Sequence, residues 1–159
     1  MRPAPGHAAP ARLALLAGLM AGLLAQGGCT APPAGPSGLA GTAWQLVALQ
    51  SMDDAQGTQR PAEPARYTLR FGPDGQAQWR LDCNRGHSAW QQRAASEGRS
   101  GQLSFGELAS TRAMCPPDSL APQLIRQLPH VRSYLLKDGQ LHLSLWADGG
   151  ILSWAPLPP

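Results

Sequence analysis

Cys83 and Cys115 lie 32 residues apart, each at the edge of an apolar segment, and His87 follows the first at Cys-x3-His spacing. Such a set offers three chemistries. Oxidised, the two thiols make one disulfide, which for a closed loop of this length contributes roughly 3–4 kcal/mol in the chain-entropy model. Ionised, they ligate a metal with His87, yet a tetrahedral site needs a fourth ligand, and His130 and His142 fall on other segments with no local pairing. Reduced, one of them serves as a nucleophile with His87 or His142 as its base. The disulfide is the simplest of the three. The carboxylates Asp82, Glu97 and Glu107 are scattered and show no glycosidase-type pairing. The expectation is a chain with no catalytic residue, no metal and no cofactor, and so not an enzyme.

Four further residues near the cysteines or on the same strands are candidates for positioning or binding: Asn84, Arg85, Thr111 and Trp90. Asn after a strand tolerates left-handed backbone and bonds nearby peptide groups, so Asn84 is expected to fix the turn beside the disulfide. Arg85 either pairs with Asp82 at the surface, which is worth little, or faces a partner. Thr111 is expected to bond backbone rather than substrate. The tryptophans Trp44, Trp79, Trp90 and Trp154 either fill a core or line an apolar ligand site.

The compartment decides between thiol chemistries, and the amino terminus speaks to it. After Arg2 and Arg12 comes an apolar run, Leu13 to Ala25, too short to span a bilayer comfortably and patterned as a secretory leader. Gln26-Gly27-Gly28-Cys29 resembles a bacterial lipobox, with residues 1–28 removed and Cys29 acylated by palmitate-type chains; Ala25-Gln26-Gly27 is the alternative, an ordinary cleavage site. Three cysteines in an exported chain leave one over. Acylation of Cys29 accounts for the odd one and leaves Cys83 and Cys115 as a pair in an oxidising compartment. Thr30 rather than Asp after Cys29 points to the periplasmic face of the outer membrane. Loss of Arg2 and Arg12 leaves 11 basic against 10 acidic residues, so no basic stripe for nucleic acid is expected.

Residues 29–41 are rich in Ala, Pro, Gly, Ser and Thr and read as a flexible tether, followed by one domain from 42 to 157. A first strand spans Thr42 to Leu49 with Trp44, Leu46 and Ala48 on one face. Tyr67–Phe71 and Gln76–Leu81 alternate around Gly72-Pro73-Asp74-Gly75 and form a hairpin. Strands follow at Gly86–Gln92 and Gln102–Phe105. One helix, capped by Asp118 or Ser119, carries Leu120, Leu124 and Leu128 on one face with Ile125 beside them, and stops at Pro129. Asp138-Gly139 and Asp148-Gly149-Gly150 mark two more tight turns. The fold class is α+β: an antiparallel meander curled into a partial β-barrel with one packed α-helix, expected to be a monomer.

Trp44-Gln45-Leu46, Cys83-Asn84-Arg85, Thr111-x-x-Met114-Cys115 and Leu141-x-Leu143-x-Leu145, in this order, resemble the META domain family of HslJ-like heat-shock and envelope lipoproteins. The resemblance covers about Leu39 to Ala155. It implies a small β-rich domain on a cell-envelope lipoprotein linked to stress response or secretion, with no established enzyme activity. The expected function is therefore non-catalytic, binding an envelope protein or supporting envelope integrity under stress. A carrier of small apolar ligands similar to lipocalins and a periplasmic inhibitor of a host hydrolase are the alternatives.

Overall fold

The computed structural model describes residues 38–147 and 149–158. The leader, Cys29 and the tether as far as residue 37 lie outside the described residues. The chain runs through β1 (Ala43–Gln50), β2 (Thr58–Gln59), a 3-10 turn (Pro64–Arg66), β3 (Tyr67–Phe71), β4 (Gln76–Leu81), β5 (Asn84–Ala94), β6 (Ser100–Phe105) and β7 (Ala109–Ser110). Then come α1 (Ala121–Gln127), a second 3-10 turn (Leu128–His130), β8 (Val131–Lys137), β9 (Gln140–Leu145) and β10 (Ile151–Pro156).

Alternation sets the register. In β3 and β4 the apolar positions Tyr67, Leu69, Phe71, Ala77, Trp79 and Leu81 are all buried, and Leu69 sits opposite Trp79. β5 is long enough to serve two neighbours: Asn84–Ala89 pairs with β4, and Trp90–Ala94 pairs with β6. β6, β8, β9 and β10 continue the antiparallel order, and β10 returns to pair with β1 over Trp44–Gln50. Eight strands thus close on themselves, where the sequence suggested a partial barrel. Closure needs a strand with partners on both edges. β1 meets this need because Ala43–Gln45 pairs with β3 on one side while the whole strand runs along β10 on the other. With a single helix of seven residues, the domain is mostly antiparallel β rather than an even α+β mixture.

A bulge between Leu46 and Ala48 shifts the phase of β1. Because side chains alternate with period two, one extra residue returns the next apolar position to the inside. Trp44, Leu46 and Leu49 join the core cluster, and the expected Ala48, which follows the bulge, is buried as well but lies outside that cluster. A second correction concerns the tether. Leu39 is fully buried in the same core, with its N–H donated to Gln92 Oε1 at 3.3 Å, so the last residues of the expected tether are part of the domain.

Asp138 and Gly139, with φ of 52° and 73°, form the two-residue turn that joins β8 to β9. The next connection differs from expectation. Five residues, 146–150, separate β9 from β10, and among those described the positive φ angles fall on Ala147 and Gly150, at 48° and 119°. Gly150 also lies against β1: a methyl group there would be driven into the carbonyl oxygen of Gln50. Substitution Gly150→Ala is expected to cost roughly 1–3 kcal/mol, from backbone strain and displacement at the closing seam. Urea unfolding of the variant checks this, and an unchanged midpoint would contradict the close approach.

Helix α1 starts at Ala121 with Leu120 in the cap position and no side-chain cap bond, later than the expected cap at Asp118 or Ser119; Ser119 Oγ accepts from Ala121 N at 3.2 Å and Tyr67 Oη from Leu120 N at 3.0 Å. Pro122 sits in the first turn, where its missing N–H breaks no intrahelical bond. Pro129 ends the α-helix but not the coil, because the backbone tightens into the 3-10 turn Leu128–His130. Ala121, Leu124 and Leu128 join the barrel's core cluster. The helix therefore does not fill a gap in the sheet.

The interior is occupied by aromatic side chains. Trp79 meets Phe105 edge-on at 4.9 Å and Trp154 at 6.1 Å, and Phe71 meets Trp90 at 5.0 Å. Such contacts add to the burial of large apolar area. Trp146 alone of the tryptophans is exposed, with the Arg132 guanidinium 5.6 Å from its ring centre.

Candidate functional site

The corner around the two cysteines begins with a tight hairpin. Leu81 pairs with Asn84, which leaves Asp82 and Cys83 as a two-residue turn between β4 and β5. Asp82, with φ of 63°, takes the left-handed conformation that the sequence reading gave to Asn84. Asp tolerates that region because its short polar side chain bonds locally. Asn84 is already in the strand.

Cys83 and Cys115 are joined by a disulfide, with Cα atoms 5.5 Å apart. Asn84, 6% exposed, is the hub beside it. Its Oδ1 accepts from Ala113 N at 2.7 Å and from Thr111 Oγ1 at 2.9 Å. Its Nδ2 donates to Ala113 O at 3.0 Å and lies 3.2 Å from Cys115 Sγ and 3.4 Å from Cys83 Sγ. The backbone donor and acceptor of Ala113 fix which end of the amide is oxygen. Thr111 completes the lattice: its Oγ1 accepts from Arg85 N at 3.1 Å, and its own N–H donates to Arg85 O at 2.9 Å. Covalent bond and hydrogen bonds together pin the segment after β7, where Ser110 already pairs with Gly86, against the edge of β5. Asn84 and Thr111 thus spend their polar groups on positioning. Met114, the remaining residue of the Thr-x-x-Met-Cys motif, is 99% exposed.

The structure separates the other candidates. Trp90 lies far along β5 in the core, donating Nε1–H to Gly72 O at 3.2 Å, and belongs with Phe71 rather than with the disulfide. His87 is exposed and faces Ala109 across the ladder. Among the described residues no three His, Cys, Asp or Glu side chains converge as metal ligands. Arg85 is exposed, and it does not pair with Asp82. The carboxylate of Asp82, its side chain only 3% exposed, is met by the Arg66 guanidinium as an ion pair rather than through a well-aligned hydrogen bond. Glu63 approaches the same guanidinium at 3.7 Å.

Two residues missing from the sequence reading shape this corner. Arg66 arrives from the 3-10 turn before β3, and Arg80 stands directly opposite Arg85 in the β4–β5 ladder. With Asp82, Cys83, Arg85 and Thr111 they line a surface cleft of about 350 Å3. Arg80 was legible. In Arg80-Leu81-Asp82-Cys83-Asn84-Arg85 a two-residue turn at the centre places the first and last residues face to face. Arg66 carried no such mark, since only the fold brings it to Asp82.

Among solved structures, one of a DUF4847 family protein from Bacteroides vulgatus ATCC 8482 is similar, at 13% sequence identity, covering 74% of this chain and 93% of that one with a TM-score of 0.49. No curated protein matches the sequence. The family model described as the META domain matches residues 37–155, from just before the buried Leu39 to the end of the closing strand. The chain belongs to the META domain family.

Proposed function

We propose that this META domain is borne by a lipid-anchored protein of the bacterial envelope, which works by binding rather than by catalysis and supports envelope integrity under stress. The observation that carries the reading is the barrel interior. Trp154, Tyr134, Phe71 and ten leucines fill it with side chains under 2% exposed. A barrel packed in this way is a scaffold, and its working surface is outside. The same packing disfavours the lipocalin-like carrier, which needs an internal cavity. Asn84 and Thr111, the polar residues nearest the disulfide, are engaged in holding backbone, which fits a rigid display surface better than a reaction centre.

Anchoring rests on Cys29 and is directly testable. In cells fed labelled palmitate, the wild-type chain should take up label and sediment with membranes, and Cys29→Ser should lose both properties. A mature wild-type protein with an unmodified amino terminus at Gly28 would overturn the anchor and leave ordinary cleavage in its place.

A further inference from the structure

We infer that the cleft beside the disulfide binds a phosphate group through Arg80 and Arg85. The inference rests on the reading of this chain as a binding protein. Like charges set directly opposite each other weaken a sheet, and the two-residue turn at Asp82-Cys83 forces Arg80 and Arg85 into such a pair. Neither side chain forms an ion pair or a side-chain hydrogen bond among the described residues. The carboxylate of the cleft, Asp82, is buried and turned to Arg66. Two exposed guanidiniums therefore face one cleft with no counter-charge of their own, while the third arginine there, Arg66, is ion-paired with Asp82 and approached by Glu63.

An oxyanion suits this arrangement. Each guanidinium is a planar fork of donors that meets phosphate oxygens two at a time, and Arg keeps its charge at any physiological pH. The platform is also rigid, because the disulfide and the Asn84 lattice hold the β5 backbone from one side and the β4 ladder from the other. Pre-organised donors lose less freedom when the anion arrives. A cleft of about 350 Å3 leaves room for the group to which the phosphate is attached.

Thermal unfolding of the mature protein in inorganic phosphate, against chloride at matched ionic strength, is the first test. Phosphate should raise the midpoint of the wild type. Arg80→Gln and Arg85→Gln should each weaken the phosphate response roughly tenfold or more, while unfolding in chloride at or above the wild-type midpoint, because removing one of the opposed charges relieves repulsion. The second arm uses the unacylated Cys29→Ser chain with vesicles of phosphatidylglycerol or phosphatidylcholine. Capture by phosphatidylglycerol that is lost in Arg85→Gln assigns the phosphate to a lipid headgroup; a response to inorganic phosphate without vesicle capture assigns it to a soluble compound. If neither probe distinguishes wild type from the arginine variants, the site is overturned. Palmitate labelling at Cys29 is unaffected by that result, so the failure of the cleft and the failure of the anchor are read separately.

Discussion

Replacing Cys83 and Cys115 together by serine is expected to lower the stability of the protein by roughly 3–4 kcal/mol. The cross-link closes a loop of sequence separation 32 that contains β5, β6 and β7, and the denatured chain gains the freedom of that loop when it is lost. The folded state changes less. Asn84 keeps Ala113 and Thr111 as partners through Oδ1 and Nδ2 whether or not the sulfurs are joined, so the segment remains docked. Since small domains are stable by only about 5–15 kcal/mol, the loss is a large share of the total. Urea unfolding should show a lower midpoint for the double variant, and wild-type protein in excess reductant should follow the variant's curve. Identical midpoints for oxidised and reduced wild type would refute the cross-link as a source of stability.

Truncating Trp154 to alanine is expected to cost about 3–5 kcal/mol. The residue is fully buried, pairs with Leu46 across the seam between β1 and β10, and packs on Trp79. Removal therefore opens a void in the middle of the barrel and loosens the strand pair that closes it. Trp154→Phe should cost much less. The indole Nε1–H has no acceptor among the described residues, so the smaller ring gives up volume but also removes a buried unpaired donor. Calorimetry or chemical unfolding of the two variants tests the ordering. A loss under about 1 kcal/mol for Trp154→Ala would mean that the interior tolerates a void, and the apolar-carrier reading would regain its footing.

What the sequence revealed was governed by how local the cause is. β3 and β4 carry strict alternation on both sides of a Gly-Pro-Asp-Gly turn, and their bounds were legible to the residue. Asp138-Gly139 likewise announces its turn, because few residues accept two successive positive φ angles. The second such signal, Asp148-Gly149-Gly150, marked the place but not the length: the connection has five residues, and among those described the left-handed positions are Ala147 and Gly150. Closure of the barrel depends on Trp44–Gln50 meeting Pro156–Ile151, a pairing across most of the chain that no local pattern encodes. The bulge in β1 follows from that pairing and was equally invisible.

At the site the division is similar. The disulfide followed from the number of cysteines and the expectation of an oxidising compartment. The partners of Asp82 and Arg85 did not, since the sequence neighbours Asp82 and Arg85 suggest an ion pair that the hairpin geometry breaks. A turn that puts Arg85 opposite Arg80 carries its side chain away from the inward-pointing Asp82, and Arg66 takes the place.

The pairing of the first long strand with the last has a kinetic meaning. Every other rung of the ladder joins strands that follow one another within a few dozen residues, so hairpins form early and at little loop-closure cost. The seam is different: Leu46 has no partner on that edge until Trp154, 108 residues further along, has found it. β10 is thus the strand without which the apolar faces stay wet, and the chain stays unsealed and prone to wrong pairings until this long loop has closed.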